Sequence, residues 1–270
     1  MIEITEHTAI WGILAGPAEA VEPPQGLHRL MERRHVDGVL FPLVVAPEDL
    51  GTLVAGLKTI RNFRGFIVNA PHKSAAVAFC DQVTLRAKAT GAVNAIRREP
   101  NGQLIGDILD GAGFLAGLQQ FAIELAERRV FLAGAGATAS AIAFALADAG
   151  IAHLTISNRT TEKAESLKER LASHFPSLTV EIGTLDASGH DIVINATALG
   201  RKISDPLPVI PGRLSRDQII ADVITQPEMT ALLSAARGRG CRIHPGKPML
   251  AWQLELLADF IEMHARADDA

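Results

Sequence analysis

The sequence predicts a two-domain α/β protein in which most of the β-strands are parallel. Short apolar segments of strand character alternate with segments whose apolar residues recur at helical spacing, which is typical of parallel sheets with right-handed crossovers. The length of 270 residues fits two domains or one large one. Hydrophobic residues make up 48% of the chain, which supplies enough apolar side chains for a sizeable core.

The composition excludes several functional classes. A net charge of -4 and the absence of a basic stripe argue against a nucleic-acid partner. Cys80 and Cys241 lie far apart without a paired motif, which predicts a reducing compartment and no disulfide or metal site. The acidic Glu3 and Glu6 are unlike the basic start of a signal peptide, and no apolar run is long enough for a membrane span. We therefore expect a cytoplasmic protein without a membrane partner, either a monomer or a homodimer.

The first part of the chain is predicted to alternate strands and helices and to end in a hairpin. Strands are expected at residues 9–15, 38–41 and 65–70, and helices at 26–34, from 47 onward and at 73–80. The stretch 18–25 contains Pro23 and Pro24 and is predicted to be irregular. The pair Asn101-Gly102 favours a tight turn between two apolar segments.

The second part is predicted to contain a run of strands between two longer helices, at 111–128 and 249–267. A further helix is expected at 139–149. The strands are predicted at residues 130–133, 152–157, 180–182, 191–195, 218–222 and 240–243.

A glycine turn after the predicted strand 130–133 is the strongest local motif. Gly134 suits a tight turn, Gly136 lets the backbone approach a pyrophosphate, and Ala139 allows close packing of helix and strand. A turn made only of small residues would look similar. The residues predicted to bind a dinucleotide here are Gly134, Ala135, Gly136, Ala137, Thr138 and Ala139.

The end of the next strand predicts which dinucleotide is bound. An NAD site usually carries an acidic residue there, about 20 residues after the glycines. This chain has Asn158, Arg159 and Thr160 instead, with Lys163 one turn further on. Two cations and no carboxylate suit a 2′-phosphate, so the sequence predicts NADP, with NAD as a weaker alternative. The alternative is that Arg159 and Lys163 are ordinary solvent-exposed residues at the end of a strand.

Lys73 and Asp110 are the candidate acid/base pair. Each stands at a junction between predicted elements, where open α/β sheets commonly place their catalytic groups. An ammonium could donate or accept a proton while a hydride moves, and a carboxylate could orient it. An exposed lysine and a helix-capping aspartate are the alternatives. His72 is a less favoured base, and no histidine shows metal-ligand spacing.

Several separated motifs, in order, resemble the shikimate dehydrogenase family over nearly the whole chain. They lie at residues 65–66, 71–73, 91–94, 110–114, 134–139, 158–160, 195–200, 249–250 and 253. The resemblance implies a substrate-binding domain at 1–105 joined by a C-terminal helix at 247–270, and an NADP-binding Rossmann domain at 106–246.

The resemblance also implies roles for individual residues. Lys73 and Asp110 would be catalytic, and Asn94 and Gln253 would bind substrate hydroxyls. Asn69, which stands where the chain departs from the family pattern, is expected as a further donor to the substrate. It adds to the cofactor site Asn195, Thr197, Val223, Gly246 and Met249. The implied reaction is NADP-dependent interconversion of 3-dehydroshikimate and shikimate or a close analogue.

The chain departs from the family pattern where the substrate carboxylate would be held. The family's Ser-x-Ser pair is matched by residues 21–23, Val-Glu-Pro, and the polar residues before two other motifs are replaced by Ile67 and Ile108. The expected tyrosine is replaced by Thr225. Two alternatives therefore stay open: a dehydrogenase for another cyclic hydroxy compound, and a weakly active cofactor-binding protein.

Overall fold

The computed structural model describes residues 4–16 and 24–263 and divides into two compact units. The first unit contains the described residues up to Leu109 and those from Leu254 onward, and the second runs from Asp110 to Gln253. Both units are α/β, and their sheets are mostly parallel, as the sequence predicts. Among the described residues, no helix combines the length and the apolar character needed to cross a bilayer.

The first unit is built on a six-stranded sheet. Its elements are β1 (Ala9–Ala15), α1 (Pro24–Arg33), β2 (Gly38–Val44), α2 (Leu50–Lys58), β3 (Phe63–Val68), β4 (Gln82–Val83), α3 (Leu85–Thr90), β5 (Ala95–Arg98) and β6 (Leu104–Asp107). The strand order is β2-β1-β3-β5-β6-β4, in which β5 is antiparallel to both neighbours. The predicted hairpin is thus confirmed as β5 and β6.

The second unit has the strand order of a dinucleotide-binding fold. Its elements are α4 (Asp110–Gln120), β7 (Arg129–Ala133), α5 (Ala137–Asp148), β8 (His153–Ser157), α6 (Thr161–His174), β9 (Thr179–Ile182), β10 (Ile192–Asn195), β11 (Ile219–Asp222), α7 (Ala231–Gly238) and β12 (Arg242–His244). All strands are parallel in the order β9-β8-β7-β10-β11-β12, the Rossmann arrangement. Ligands bind where this order reverses, between β7 and β10.

The last helix, α8 (Gly246–Phe260), begins in the second unit and ends in the first. Its C-terminal part contributes Leu257 and Ala258 to the core of the first unit, where they join Trp11 and Ile13 of β1. The indole of Trp11 donates a hydrogen bond of 3.1 Å to the carbonyl of Ile261, which fixes the end of this segment.

Several predicted helix limits are wrong. The predicted helix 73–80 is only a 3₁₀ segment at Ala75–Phe79, and α1 begins at Pro24 inside the stretch predicted to be irregular. The helix predicted at 111–128 ends at Gln120, because Ala122 takes a positive φ of 50° that no glycine marks in the sequence. The helix predicted at 249–267 starts earlier and ends at Phe260; residues 264–267 lie outside the described part.

Candidate functional site

The glycine turn between β7 and α5 has the shape expected for a phosphate cradle. Gly134 adopts φ +117°, and a Cβ there would lie 2.9 Å from the carbonyl oxygen of Ala196. Gly136, the residue before α5, would place a Cβ in open space with no atom within 4 Å. Ala139 is fully buried against the strand. The turn therefore leaves the N-terminus of α5 open, where N–H groups and the helix dipole favour an anion.

The neighbouring strand end supports this turn. The amide of Ala135 donates to Oδ1 of Asn158 (3.1 Å), and Nδ2 of Asn158 donates to the carbonyl of Thr160 (2.8 Å). Asn158 therefore holds the glycine turn and the start of α6 together. Arg159 and Lys163 are exposed, and neither side chain is paired with an acidic group in the described part of the chain. Both cations are available to a phosphate.

Asp110 lies at the centre of a polar cluster within the second unit. Its side chain is 3% exposed, and its Oδ1 accepts hydrogen bonds from Oγ1 of Thr138 (3.2 Å) and Nε2 of Gln253 (3.1 Å). Thr138 stands in the first turn of α5, so one carboxylate oxygen joins α4, α5 and α8. The sequence motifs gave no sign of the bond between Thr138 and Asp110, because it joins residues far apart in the chain.

Small residues allow these three helices to approach closely. A Cβ at Gly111 would lie 2.2 Å from the carbonyl oxygen of Ala141, and one at Gly113 would lie 2.9 Å from Cβ of Gln253. The two glycines of α4 thus set the distance at which Asp110 meets its partners.

A second polar network holds the loops after β10 and β11. Asp222 is 1% exposed and accepts from Nδ2 of Asn195 (3.0 Å) and Oγ1 of Thr230 (2.8 Å). Oδ1 of Asn195 in turn accepts from Oγ1 of Thr197 (2.6 Å), and the amide of Val223 donates to the carbonyl of Asn195 (3.0 Å). Burial raises the pKa of Asp222, while these hydrogen bonds act in the opposite direction. The sequence analysis did not identify Asp222 as a site residue. Its position at the end of a predicted buried strand was the only indication in the sequence.

The start of α8 is packed tightly against the same region. A Cβ at Gly246 would lie 2.5 Å from the carbonyl oxygen of Ile224, so only glycine fits there. Met249 is 5% exposed, and a Cβ at Gly117 would lie 3.0 Å from its backbone nitrogen. Met249 is thus largely a packing residue within its own unit.

The first unit gathers its predicted site residues at the carboxyl end of β3. The amide of Asn69 donates to the carbonyl of Leu14 (2.8 Å), and the carbonyl of Lys73 accepts from Val93 (2.9 Å), next to Asn94. The side chain of Lys73 is half-buried. His72, the less favoured base, is 1% exposed with Nε2 at 3.1 Å from the carbonyl oxygen of Val45.

Asn94 carries an unusual buried donor. Its Oδ1 accepts from the amide of Leu109 (2.9 Å), whereas its Nδ2 is buried and has no hydrogen-bond partner among the described residues. A buried amide left in this way costs free energy unless something accepts its hydrogen bond. The position suits a donor to an oxygen of a bound substrate.

Two of the departures from the family pattern can be located. Ile67 is 5% exposed within the hydrophobic core of the first unit, and Ile108 is 2% exposed. Residues 21–23 lie outside the described residues.

Each unit carries a different part of the predicted chemistry. The second unit has an open phosphate cradle, two available cations and an oriented carboxylate at Asp110. The first has an ammonium at Lys73 and an unpaired amide donor at Asn94. A dehydrogenase that acts on hydroxyl groups requires a cofactor that exchanges hydride, a group that carries the proton, and donors that bind the substrate oxygens.

Comparisons with known proteins agree with this arrangement. Residues 13–96 match the model of the shikimate dehydrogenase substrate binding domain, and residues 116–210 match that of shikimate / quinate 5-dehydrogenase. An NADP(+) shikimate dehydrogenase of Rubrobacter xylanophilus is 38% identical over 257 residues, 93% of this chain and 89% of that protein.

Solved structures show the same fold. The ligand-free 5-ketofructose reductase of a Gluconobacter species is 32% identical, with a TM-score of 0.82 over 94% of this chain and 92% of that one. Shikimate 5-dehydrogenase of Thermus thermophilus, in complex with NADP(H) and shikimate, is 28% identical with a TM-score of 0.83 over 94% and 93%. The resemblance seen in the sequence motifs is thus confirmed, and the chain belongs to the shikimate dehydrogenase family.

Proposed function

We propose that this protein is an NADP-dependent shikimate dehydrogenase that interconverts shikimate and 3-dehydroshikimate. The observation that carries the proposal is the position of Asp110, whose carboxylate is held by Gln253 and by Thr138 of the helix that leaves the glycine turn. A carboxylate fixed directly to the helix that follows the glycine turn would be held in place relative to a dinucleotide bound at that turn. The names of the relative from Rubrobacter and of the Thermus structure support this activity.

We assign the cofactor to the second unit and the substrate mainly to the first. The open space at Gly136 fits a pyrophosphate, and the unpaired Arg159 and Lys163 fit a 2′-phosphate. Asn195, Thr197 and Val223 would line the nicotinamide side, because they form the loops at the carboxyl ends of β10 and β11.

The reaction needs one proton transfer beside the hydride that NADP exchanges. In the oxidation of shikimate, the neutral amine of Lys73 takes the hydroxyl proton as the carbon loses its hydride. In the reduction, the ammonium of Lys73 returns that proton to the developing alkoxide. We assign to Asp110 the orientation of the reacting hydroxyl, and to Nδ2 of Asn94 and the amide of Gln253 the binding of further ring hydroxyls.

A substrate panel tests this assignment. The purified protein is incubated with NADP or NAD and either shikimate or quinate, and formation of the reduced cofactor is followed by absorbance. Reduction of 5-ketofructose with NADPH is measured in the opposite direction. We expect kcat/KM to be highest for shikimate with NADP. Absence of turnover with shikimate, while quinate or 5-ketofructose reacts, would overturn the substrate assignment and leave the oxidoreductase chemistry standing.

A further inference from the structure

The first unit contains a cavity of about 540 Å³ that is separate from the residues assigned to catalysis. It opens at the amino end of the sheet, beside Ala9 of β1 and Arg64 of β3. Asn69 follows the opposite, carboxyl end of β3. Five residues of extended chain separate Arg64 from Asn69, a distance of about 16 Å at roughly 3.3 Å per residue. The cavity has the size of a small-molecule site.

Its floor is apolar and its rim is charged. Trp11, Val36 and Ile261 form the floor with exposures of 2%, 8% and 1%. The rim carries the guanidinium groups of β3 and β5, which are paired strands, and three carboxylates. One of these carboxylates precedes β2, and the other two lie around the end of α8. Concave sites with an apolar base and a few polar groups at the mouth are typical of ligand pockets.

Most of the rim charges are already paired. Nε of Arg97 donates to Glu99 (2.7 Å), the guanidinium of Arg98 donates to backbone carbonyls, and Asp259 pairs with Arg34 (2.7 Å). Asp37 accepts from the hydroxyl of Thr8 (2.9 Å). Apart from Nε of Arg98, which is buried without a hydrogen-bond partner among the described residues, these groups are already engaged with other protein groups.

Two rim groups of opposite sign have no such partner. The side chains of Arg64 and Glu262 make neither an ion pair nor a hydrogen bond within the described part of the chain. The cavity therefore offers one available cation and one available anion above an apolar floor.

The backbone is irregular at both Arg64 and Glu262. The pairing of β1 with β3 shifts register between Ile10 and Trp11, which leaves Arg64 as the extra residue of a β-bulge. Bulges re-aim side chains out of the regular alternation. Glu262 adopts a positive φ of 57°, a conformation that costs free energy for a residue with a Cβ and is more often taken by glycine or asparagine.

We infer that this cavity is a binding site for an α-amino acid with a large apolar side chain. The ligand carboxylate pairs with Arg64, its ammonium pairs with Glu262, and its side chain lies over the floor formed by Trp11, Val36 and Ile261. A simple anion could pair with Arg64 but not with Glu262, and a simple cation could pair with Glu262 but not with Arg64. A ligand that carries both an anionic and a cationic group can pair with both side chains.

The test uses Trp11 as the reporter. The chain has two tryptophans, so a Trp252→Phe variant makes Trp11 the sole indole. L-Phenylalanine is the probe, and 3-phenylpropionate and phenethylamine are the matched compounds that lack its ammonium or its carboxylate. Binding is followed by Trp11 emission and checked by calorimetry. Arg64→Gln and Glu262→Gln are made in this background, with the exposed Arg61→Gln and Glu32→Gln as controls.

We expect saturable binding of one L-phenylalanine with a Kd on the order of 1 mM, and binding about tenfold weaker for each truncated compound. Arg64→Gln should weaken binding of L-phenylalanine and 3-phenylpropionate about tenfold and leave binding of phenethylamine unchanged. Glu262→Gln should weaken binding of L-phenylalanine and phenethylamine and leave binding of 3-phenylpropionate unchanged. Both variants should keep the KM for shikimate and for NADP unchanged.

Three results would overturn the inference. The first is the absence of a saturable signal by both methods in folded protein. The second is equal weakening by Arg64→Gln and its Arg61→Gln control, which would indicate a general charge effect. The third is binding of the truncated compounds as tightly as L-phenylalanine. Because binding is measured without turnover, none of these results depends on the proposed enzymatic activity.

Discussion

His244 is predicted to make the folded protein sensitive to mild acid. Its side chain is 1% exposed, and neither ring nitrogen has a hydrogen-bond partner among the described residues. The ring lies edge-on to Phe114 and Phe121, with centroid distances of 6.3 and 5.2 Å. Burial, with a smaller contribution from the nearby Arg242, lowers the pKa of His244 from 6.5 to about 4.

The sign and size of the effect follow from proton linkage. Below pH 6.5 the unfolded chain binds a proton at His244, whereas the folded protein does not until the pH approaches about 4. Stability therefore falls as the pH falls through this window. A difference of about 2.5 pKa units at 1.36 kcal/mol each corresponds to a loss of about 3 kcal/mol at pH 4.

Replacing His244 by leucine should remove this loss. Free energies of unfolding are measured by urea denaturation at about pH 7 and about pH 4 for the unsubstituted protein, His244→Leu and the exposed control His28→Leu. We expect the decrease between the two pH values to be smaller by about 3 kcal/mol in His244→Leu and unchanged in the control. Equal decreases in all three proteins would refute the reasoning.

Three further predictions concern the cofactor site, the helix packing and a cysteine. Arg159→Asp should weaken NADPH binding by about tenfold or more and change NADH binding little, and an equal loss for both would contradict the 2′-phosphate assignment. Gly111→Ala should destabilise the protein by about 1–3 kcal/mol in urea titrations, because its Cβ would meet the carbonyl of Ala141; Gly56→Ala, with nothing within 4 Å, should be neutral or stabilising. Burial raises the pKa of Cys80 to about 11, so iodoacetamide should alkylate it about a hundredfold more slowly than a free thiol near pH 8; comparable rates would show that the thiol is more accessible than this.

The parts of the fold that depend on the spacing of neighbouring residues in the sequence were predictable. The turn at Gly134 and Gly136 combines an apolar strand, two glycines and a small helix residue within a few positions, and each has a separate steric reason. The alternation of strands and helices around it likewise depends on short-range periodicity. The Rossmann strand order of the second unit is consistent with the glycine turn and with this alternation of strands and helices.

Helix ends were less predictable because the usual stop signals are missing. At Ala122 the chain takes a positive φ without glycine or asparagine, so nothing in the sequence marks the end of α4. At Lys73 the residues after Pro71 form turns and a 3₁₀ segment where the apolar spacing suggested an α-helix. In both cases tertiary packing overrides local preference.

The contacts of the site itself could not be obtained from spacing. The bond between Gln253 and Asp110 joins residues 143 positions apart, and that between Thr138 and Asp110 joins residues 28 apart. The family resemblance identified the residues, but their hydrogen bonds and the burial of Asp222 depend on tertiary packing that the sequence does not show. The cavity beside Arg64 also depends on a register shift that the sequence does not show.

The most direct test of the proposed mechanism is a double-mutant cycle on Lys73 and Asp110. The rate of NADPH formation from shikimate is measured for Lys73→Ala, Asp110→Asn and the double variant, with the exposed Lys88→Ala as a matched control. If the two groups act as one unit, each single variant should lose about 10²–10⁴ in kcat, and the double variant should lose little more. Lys88→Ala should behave like the unsubstituted protein. Unchanged turnover in Lys73→Ala, or losses that multiply in the double variant, would contradict the paired role of these residues.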